Sequence, residues 1–202
     1  MSETKRMKRK IIFATKNYGK LKEVSHILGD KYFELLSLND FNNVEEIKED
    51  GNTFEENAIK KVKFVFEKYS IPVLADDSGL VIEQLKGEPG IRSARYAGEN
   101  ASDEENNKKL ISQLLLLPQL HKAKFVCAAA YYDGNILLKA SGQIVGQIIH
   151  EPRGANGFGY DPLFIPDGYN QTIAELELDE KNKISHRAKA FNSLLKLINV
   201  RG

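Results

Sequence analysis

Two adjacent carboxylates, Asp76 and Asp77, close the apolar run Val73-Leu74-Ala75 and lead into Ser78-Gly79. Side chains alternate along an extended chain, so one carboxylate can face a cleft while the other anchors the structure beside it. A carboxylate facing a cleft can take a proton from water or help to hold a cation. Asp, Ser and Gly are also common turn formers, and a simple turn would account for the same four residues. Thr15-Lys16-Asn17-Tyr18-Gly19-Lys20 lies between an apolar run and a helical pattern, so backbone N–H groups, a helix N-terminus and a lysine can converge there on a phosphate. Its spacing is not that of a P-loop. Lys60 and Lys61 add cations on a helical stretch, where most lysines are only solvated.

The segment Gly157-Phe158-Gly159-Tyr160-Asp161-Pro162 sets two aromatics and a carboxylate among glycines, which suits close backbone approach and stacking on a planar ligand. A glycine-rich bend is the competing explanation. Ser185-His186-Arg187 offers several donors in a small space, with Lys181 upstream. His26, His121 and His150 lack such company and read as structural or surface residues. No HxxxH, CxxC or GxSxG element suggests a zinc site or a serine nucleophile.

These groups need a scaffold, and the hydrophobic pattern supplies one. Ile11 to Ala14 reads as a strand, and Leu21, Val24 and Leu28 recur at helical spacing up to Gly29. Tyr32 to Leu38 is a second strand, followed by an acidic loop with Glu45, Glu46, Glu49 and Asp50. Thr53 and Glu56 have capping-box spacing and open a helix expected over 54–69, with Ala58, Val62, Val65, Phe66 and Tyr69 on its buried face. Val73-Leu74-Ala75 is a strand expected to deliver Asp76 and Asp77 at its C-terminal end, where ligands bind in α/β sheets. Ser102 and Glu105 cap a helix that stops before Pro118, and Asp133-Gly134-Asn135 joins strands expected over 125–132 and 136–141. The last helix carries Ala190, Leu194, Leu197 and Ile198. The pattern predicts an α/β fold, a mixed elongated sheet flanked by helices, bent or split into two lobes with the site in a cleft between them.

The totals limit what such a fold can do. With 202 residues and 42% hydrophobic composition, a single domain or two closely joined lobes are both allowed. Lys and Arg number 29 against 28 Asp and Glu, so net charge steers the chain towards neither a nucleic acid polymer nor a membrane, and any anion site must be local. The basic run from Lys5 to Lys10 precedes too short an apolar stretch for a signal peptide, and residues 1–9 read as a solvated basic extension. Cys127, the single cysteine, lies in an apolar run and reads as a small buried hydrophobe of a protein kept in a reducing compartment.

The order and spacing of six segments resemble one family. They are Thr15 to Lys20, Glu49-Asp50-Gly51-Asn52-Thr53-Phe54-Glu55-Glu56-Asn57-Ala58, Ala75-Asp76-Asp77-Ser78-Gly79, Pro89-Gly90-Ile91-Arg92-Ser93-Ala94-Arg95-Tyr96, Gly157 to Pro162 and Ser185-His186-Arg187. On these motifs the chain is similar to the inosine triphosphate pyrophosphatase family from Ile11 to about Leu197. The resemblance implies a single two-lobed domain, usually a cytoplasmic homodimer. The implied activity is magnesium-dependent hydrolysis of nonstandard purine nucleoside triphosphates (ITP, dITP, XTP) to monophosphate and pyrophosphate. It implies that Asp77 is the general base and a magnesium-linked carboxylate, with Glu49 the second acidic group. Thr15, Asn17 and Lys20, in a loop that includes Lys16, Tyr18 and Gly19, correspond to triphosphate-binding positions, as do Lys61 and Ser78. Phe158, Gly159, Tyr160, Asp161, Lys181, His186 and Arg187 correspond to positions around base and sugar.

Two positions depart from the family pattern. Lys48 stands where an acidic residue is frequent, leaving open whether Glu49 or Glu46 meets the metal, and Asn156 stands where glycine is common. The rival enzyme reading is a pyrophosphatase of similar fold for pyrimidine or modified thymidine nucleotides, as in septum-inhibitor-like relatives. A nucleotide sensor without turnover is the rival from another class.

Overall fold

The computed structural model describes residues 8–29 and 33–200. Tyr32 and most of the basic extension fall outside the described residues. Arg9, expected in that extension, opens the first strand instead.

Strand β1 (Arg9–Phe13) leads into helix α1 (Tyr18–Leu28), and β2 (Phe33–Ser37) runs parallel to β1. Helix α2 (Phe54–Tyr69) keeps its expected bounds. Thr53 accepts from the Glu56 N–H at 3.1 Å, but the Glu56 carboxylate accepts from Asn52 rather than from Thr53, so the box closes one residue early. Strand β3 (Val73–Ile82) follows, then helix α3 (Asp103–Leu114), the hairpin β4 (His121–Tyr132) and β5 (Leu137–Ile148), the short β6 (Phe164–Pro166), and helices α4 (Leu178–Ile184) and α5 (His186–Asn199). The sheet order is β2-β1-β3-β4-β5-β6, parallel from β2 to β3 and antiparallel from β3 to β6.

Strand β3 corrects the expectation at the acidic pair. It does not end at Ala75; it continues through Asp76 and Asp77 to Ile82, each residue paired with β4. The turn explanation for Asp76-Asp77-Ser78-Gly79 fails with it. Parallel pairing does stop here, since β1 meets β3 only at Val73 and Leu74. Beyond Leu74 that edge of β3 lacks a strand partner among the described residues, which places a crevice at the C-terminal end of β1.

Two apolar layers sandwich the first half of the sheet. Leu74, Cys127 and Ala129 pack with Val24 of α1 and Phe191 of α5 on one face, while Ala75 and Ala130 pack with Ala58, Val62 and Val65 of α2 on the other. A third cluster, including Leu80, Phe125 and Phe164 with Leu110 and Leu114 of α3, forms the core of the far half. The long strands β3, β4 and β5 run through both halves, giving two lobes on one continuous sheet. Gly142 of β5 allows the close seat of α5, because a Cβ there would lie 2.3 Å from the His186 carbonyl oxygen.

Candidate active site

Alternation along β3 sends Asp76 and Asp77 to opposite faces, and helices from the two sides meet them. Asp76 is 2% exposed and faces α1 and α5. Its Oδ2 lies 3.2 Å from Lys20 Nζ and accepts from Arg187 Nε at 3.2 Å and Nη2 at 3.1 Å. Burial alone would raise its pKa, but Lys20, Arg187 and Lys61 outweigh burial and hold it well below the usual carboxylate range. Arg187 also donates from Nη1 to Glu23 at 2.6 Å and from Nη2 to Ser78 Oγ at 2.7 Å. Glu23 in turn pairs with Lys181 at 2.5 Å, and Lys181 with Asp161 at 2.5 Å. The result is a buried chain of alternating charge that ties α1, β3, α4, α5 and the glycine-rich loop together.

Asp77 faces α2 and lines a cleft of about 380 Å³. Its Oδ2 accepts from Asn57 at 2.9 Å, and its Oδ1 lies 3.8 Å from Lys61 Nζ. Burial raises the Asp77 pKa above the usual value, with Glu49 adding to the rise and Lys61, Lys20 and Asn57 opposing it. Lys61 is itself buried; burial disfavours its charge, yet Asp77, Glu49 and Asp76 keep its pKa raised. Its Nζ lies 2.8 Å from Glu49 Oε1 and donates to the Asp76 carbonyl at 3.0 Å. Helical spacing from Asn57 to Lys61 presents both residues on one face of α2, so a single capped helix supplies the hydrogen bond and the cation beside Asp77. Gly79 keeps the cleft wall close: a Cβ there would sit 2.3 Å from the Gly90 carbonyl oxygen and 2.4 Å from Ser93 Oγ.

The cleft gathers most of the residues singled out from sequence. Thr15, Lys16, Asn17, Lys20, Lys61 and Ser78 line it, with the carboxylates Glu49, Glu45 and Glu46. Asn17 caps α1 by accepting from the Lys20 N–H at 2.9 Å, and its own N–H donates to Thr15 Oγ1 at 3.1 Å. That leaves the Asn17 side-chain amide to donate beside the helix N-terminus. Phe158, Gly159, Tyr160, Asp161, His186 and Arg187 line the same cleft.

Three expected residues stand elsewhere. Tyr18 is 75% exposed, while Gly19 and Lys181 line a smaller recess behind Phe158. Tyr160 is buried and its hydroxyl donates to the Ser93 carbonyl at 2.9 Å, so Phe158 is the more accessible of the two aromatic faces. Phe158 lies over the Lys181 ammonium and the Arg187 guanidinium, at 5.1 and 5.5 Å. His186 stacks on Phe125 with centroids 4.8 Å apart, and burial with the neighbouring Arg187 and Lys181 cations keeps it neutral. Glu23 escaped the sequence reading, although its place three residues after Lys20 and beside Val24 on α1 was a visible signal of a paired, buried charge. Asn57 was visible only inside a motif.

Comparison with known proteins gives concordant results. A model of the Ham1 family matches residues 11–197. The chain is 49% identical to the dITP/XTP pyrophosphatase of Geobacter sulfurreducens over 93% of its own length and 94% of that protein. It is 47% identical to the dITP/XTP pyrophosphatase of Bacillus subtilis, over 93% and 96%. Among solved structures, a HAM1 protein from Coxiella burnetii superimposes with a TM-score of 0.85 at 39% identity, covering 95% of this chain and 98% of that one. The Staphylococcus aureus Ham1 protein gives 0.84 at 37% identity, over 96% and 100%.

Proposed function

We propose, from the premise that this chain belongs to the Ham1 family, that it hydrolyses nonstandard purine nucleoside triphosphates, among them dITP, ITP and XTP, to the monophosphate and pyrophosphate. The observation that carries this reading is the cleft itself, where a carboxylate of raised pKa, Asp77, sits with Lys61, Lys20 and a helix N-terminus. A group poised to take a proton lies beside cations able to neutralise a polyphosphate.

In this reading Asp77 takes a proton from the water that attacks the α-phosphorus. Lys20 and Lys61 offset charge gathering on the pyrophosphate leaving group, and Thr15, Asn17 and Ser78 orient the phosphates. The cleft also suits Mg²⁺: its acidic wall offers oxygen ligands, and magnesium needs only one or two carboxylates besides phosphate and water. Asp77 and Glu49 would hold the ion, with Glu46 in the same cleft as the alternative. When bound, Mg²⁺ would neutralise phosphate charge and polarise phosphoryl oxygens, making the phosphorus more electrophilic.

Base selection falls to Arg187 and His186. Four of the five Arg187 N–H groups already have acceptors, so one Nη1 proton and the neutral His186 ring are left to meet a 6-keto oxygen. Adenine presents an amino donor there and is rejected; guanine is excluded through its 2-amino group. We further propose a cytoplasmic homodimer. Leu115 and Leu116, which are 62% and 84% exposed, supply apolar surface that a second copy would cover. Among the described residues, no helix is long and apolar enough to cross a membrane.

The deciding experiment is a panel of ITP, XTP, GTP, ATP and pyrimidine triphosphates in H₂¹⁸O with Mg²⁺. The expected products from ITP and XTP are pyrophosphate and ¹⁸O-labelled monophosphate, formed in one step. Orthophosphate with accumulating diphosphate would overturn the reaction, preference for pyrimidines would favour the septum-inhibitor-like alternative, and binding without turnover would make the chain a sensor.

A further inference from the structure

A second constellation lies at the other end of the long hairpin. His121 opens β4 opposite Ile148 of β5, and His150 lies two residues beyond Ile148, a diagonal neighbour of His121. The two imidazole centroids are 4.9 Å apart with their planes 33° from parallel. His121 is 2% exposed, and Nε2 of both rings is buried without a hydrogen-bond partner. Two orphaned ring nitrogens on neighbouring rings are a costly arrangement in an interior that normally satisfies its polar atoms.

The protonation of His121 follows from its neighbours. Gln84 Nε2 donates to the Pro118 carbonyl at 2.8 Å, which turns Gln84 Oε1 towards His121 Nδ1 at 2.9 Å. An amide oxygen accepts only, so Nδ1 carries the proton and Nε2 presents a lone pair. A histidine whose second nitrogen is held by a carbonyl-type acceptor is arranged as metal-binding histidines are. Both rings line a groove of about 410 Å³, at whose rim lie Glu151 and Arg153. Arg153 is engaged there, 3.4 Å from Glu175 and donating to the Asn170 carbonyl at 2.8 Å. Burial and the neighbouring His150 also keep His121 neutral.

We propose that His121 Nε2 and His150 Nε2 form a two-histidine site for a transition-metal dication of the Zn²⁺ or Co²⁺ class, separate from the oxygen-lined catalytic cleft. Imidazole nitrogen suits these ions and not magnesium. With metal–nitrogen bonds of about 2.0–2.1 Å, two imidazoles on one tetrahedral ion place their ring centres about 5 Å apart, close to the spacing found here. Among the described residues no third His, Cys, Asp or Glu completes a cluster. The remaining coordination positions therefore open to water or an exchangeable ligand in the groove.

The test is Co²⁺ uptake by the full chain with Mg²⁺ saturating the carboxylate site, read from visible d–d absorption and equilibrium dialysis, with long-range ¹H–¹⁵N spectra of the imidazoles on adding Zn²⁺. The expected result is one Co²⁺ bound, with shifts confined to Nε2 of His121 and His150. His150→Gln, at a partly exposed position, should keep its circular dichroism and lose this uptake. Gln84→Ala should weaken it by about 10- to 100-fold, the usual cost of removing a group that orients a ligand. Failure of the wild type to bind Co²⁺, equal uptake by His150→Gln, or shifts at other histidines would overturn the site.

Discussion

Asp76 and Asp77 are consecutive residues of one strand, equally charged and both buried, yet the two faces of the sheet give them opposite chemistry. On the α1–α5 face, Asp76 meets Lys20 and Arg187 and is held ionised. On the α2 face, Asp77 has a hydrogen bond from Asn57 and a more distant lysine, and burial wins. The difference lies in partner distance more than in burial: close contact with the Lys20 ammonium and the Arg187 guanidinium offsets desolvation, and a cation 3.8 Å away does not. One carboxylate is thereby fixed among ion pairs, while its neighbour keeps a raised pKa on the cleft. The same face-to-face contrast holds for their surroundings, since the Asp76 side is a closed chain of ion pairs and the Asp77 side is open to a cleft.

The largest effect expected from breaking this contrast is on stability. Asp76→Asn leaves Arg187 and Lys20 without their carboxylate and should destabilise the fold by about 3–5 kcal/mol, as removal of one partner from a buried ion pair does. Urea unfolding should show that loss for Asp76→Asn and a far smaller change for Asp77→Asn. Equal losses would mean that both residues are structural.

A titration sharpens the same contrast. The folded pKa of Asp76 lies below its ordinary 3.8, so the stability it contributes is present above 3.8 and fades as pH falls towards the folded value. The folded pKa of Asp77 lies above 3.8, so its ionisation costs stability as pH rises through that value, and its basic form is lost as pH falls through it. Carbon-13 spectra of the carboxyl groups in metal-free protein should show Asp77 titrating above 3.8 while Asp76 is still ionised. The reverse order would refute the electrostatic assignment.

The smallest expected effect concerns base selection. His186→Phe retains the stack on Phe125 but removes the ring's one N–H donor. The ratio of kcat/KM for ITP to that for ATP should fall by about 3- to 10-fold, the worth of one hydrogen bond of about 1 kcal/mol. A fall for both substrates together, with an unchanged ratio, would assign His186 to phosphate or packing.

How much of this was legible in the sequence varied with the range of the interactions. Helix α2 could be read residue by residue, because its cap and its apolar face are local and periodic. The hairpin was read from Asp133-Gly134-Asn135, but its strands were cut short. His121-Lys122-Ala123-Lys124 looks polar, yet buried His121 and Ala123 alternate with exposed Lys122 and half-buried Lys124. Strand β3 was ended too early for a deeper reason: two adjacent aspartates are unfavourable inside a strand unless remote cations arrive, and those come from α1, α2 and α5, up to 111 residues away. Six matched motifs located the cleft, whereas Glu23 and the closed ion-pair chain behind it emerged only from the folded arrangement.

The central claim is that Asp77 is the reacting carboxylate of a triphosphate-cleaving cleft, and the most direct measurement is pyrophosphate release from ITP by Asp77→Asn at saturating Mg²⁺. The amide keeps the shape of the side chain and removes its charge and basicity. The account predicts a folded protein whose kcat is lower by about 10²- to 10⁴-fold. Turnover near that of the wild type, by a protein with the same circular dichroism, would contradict it.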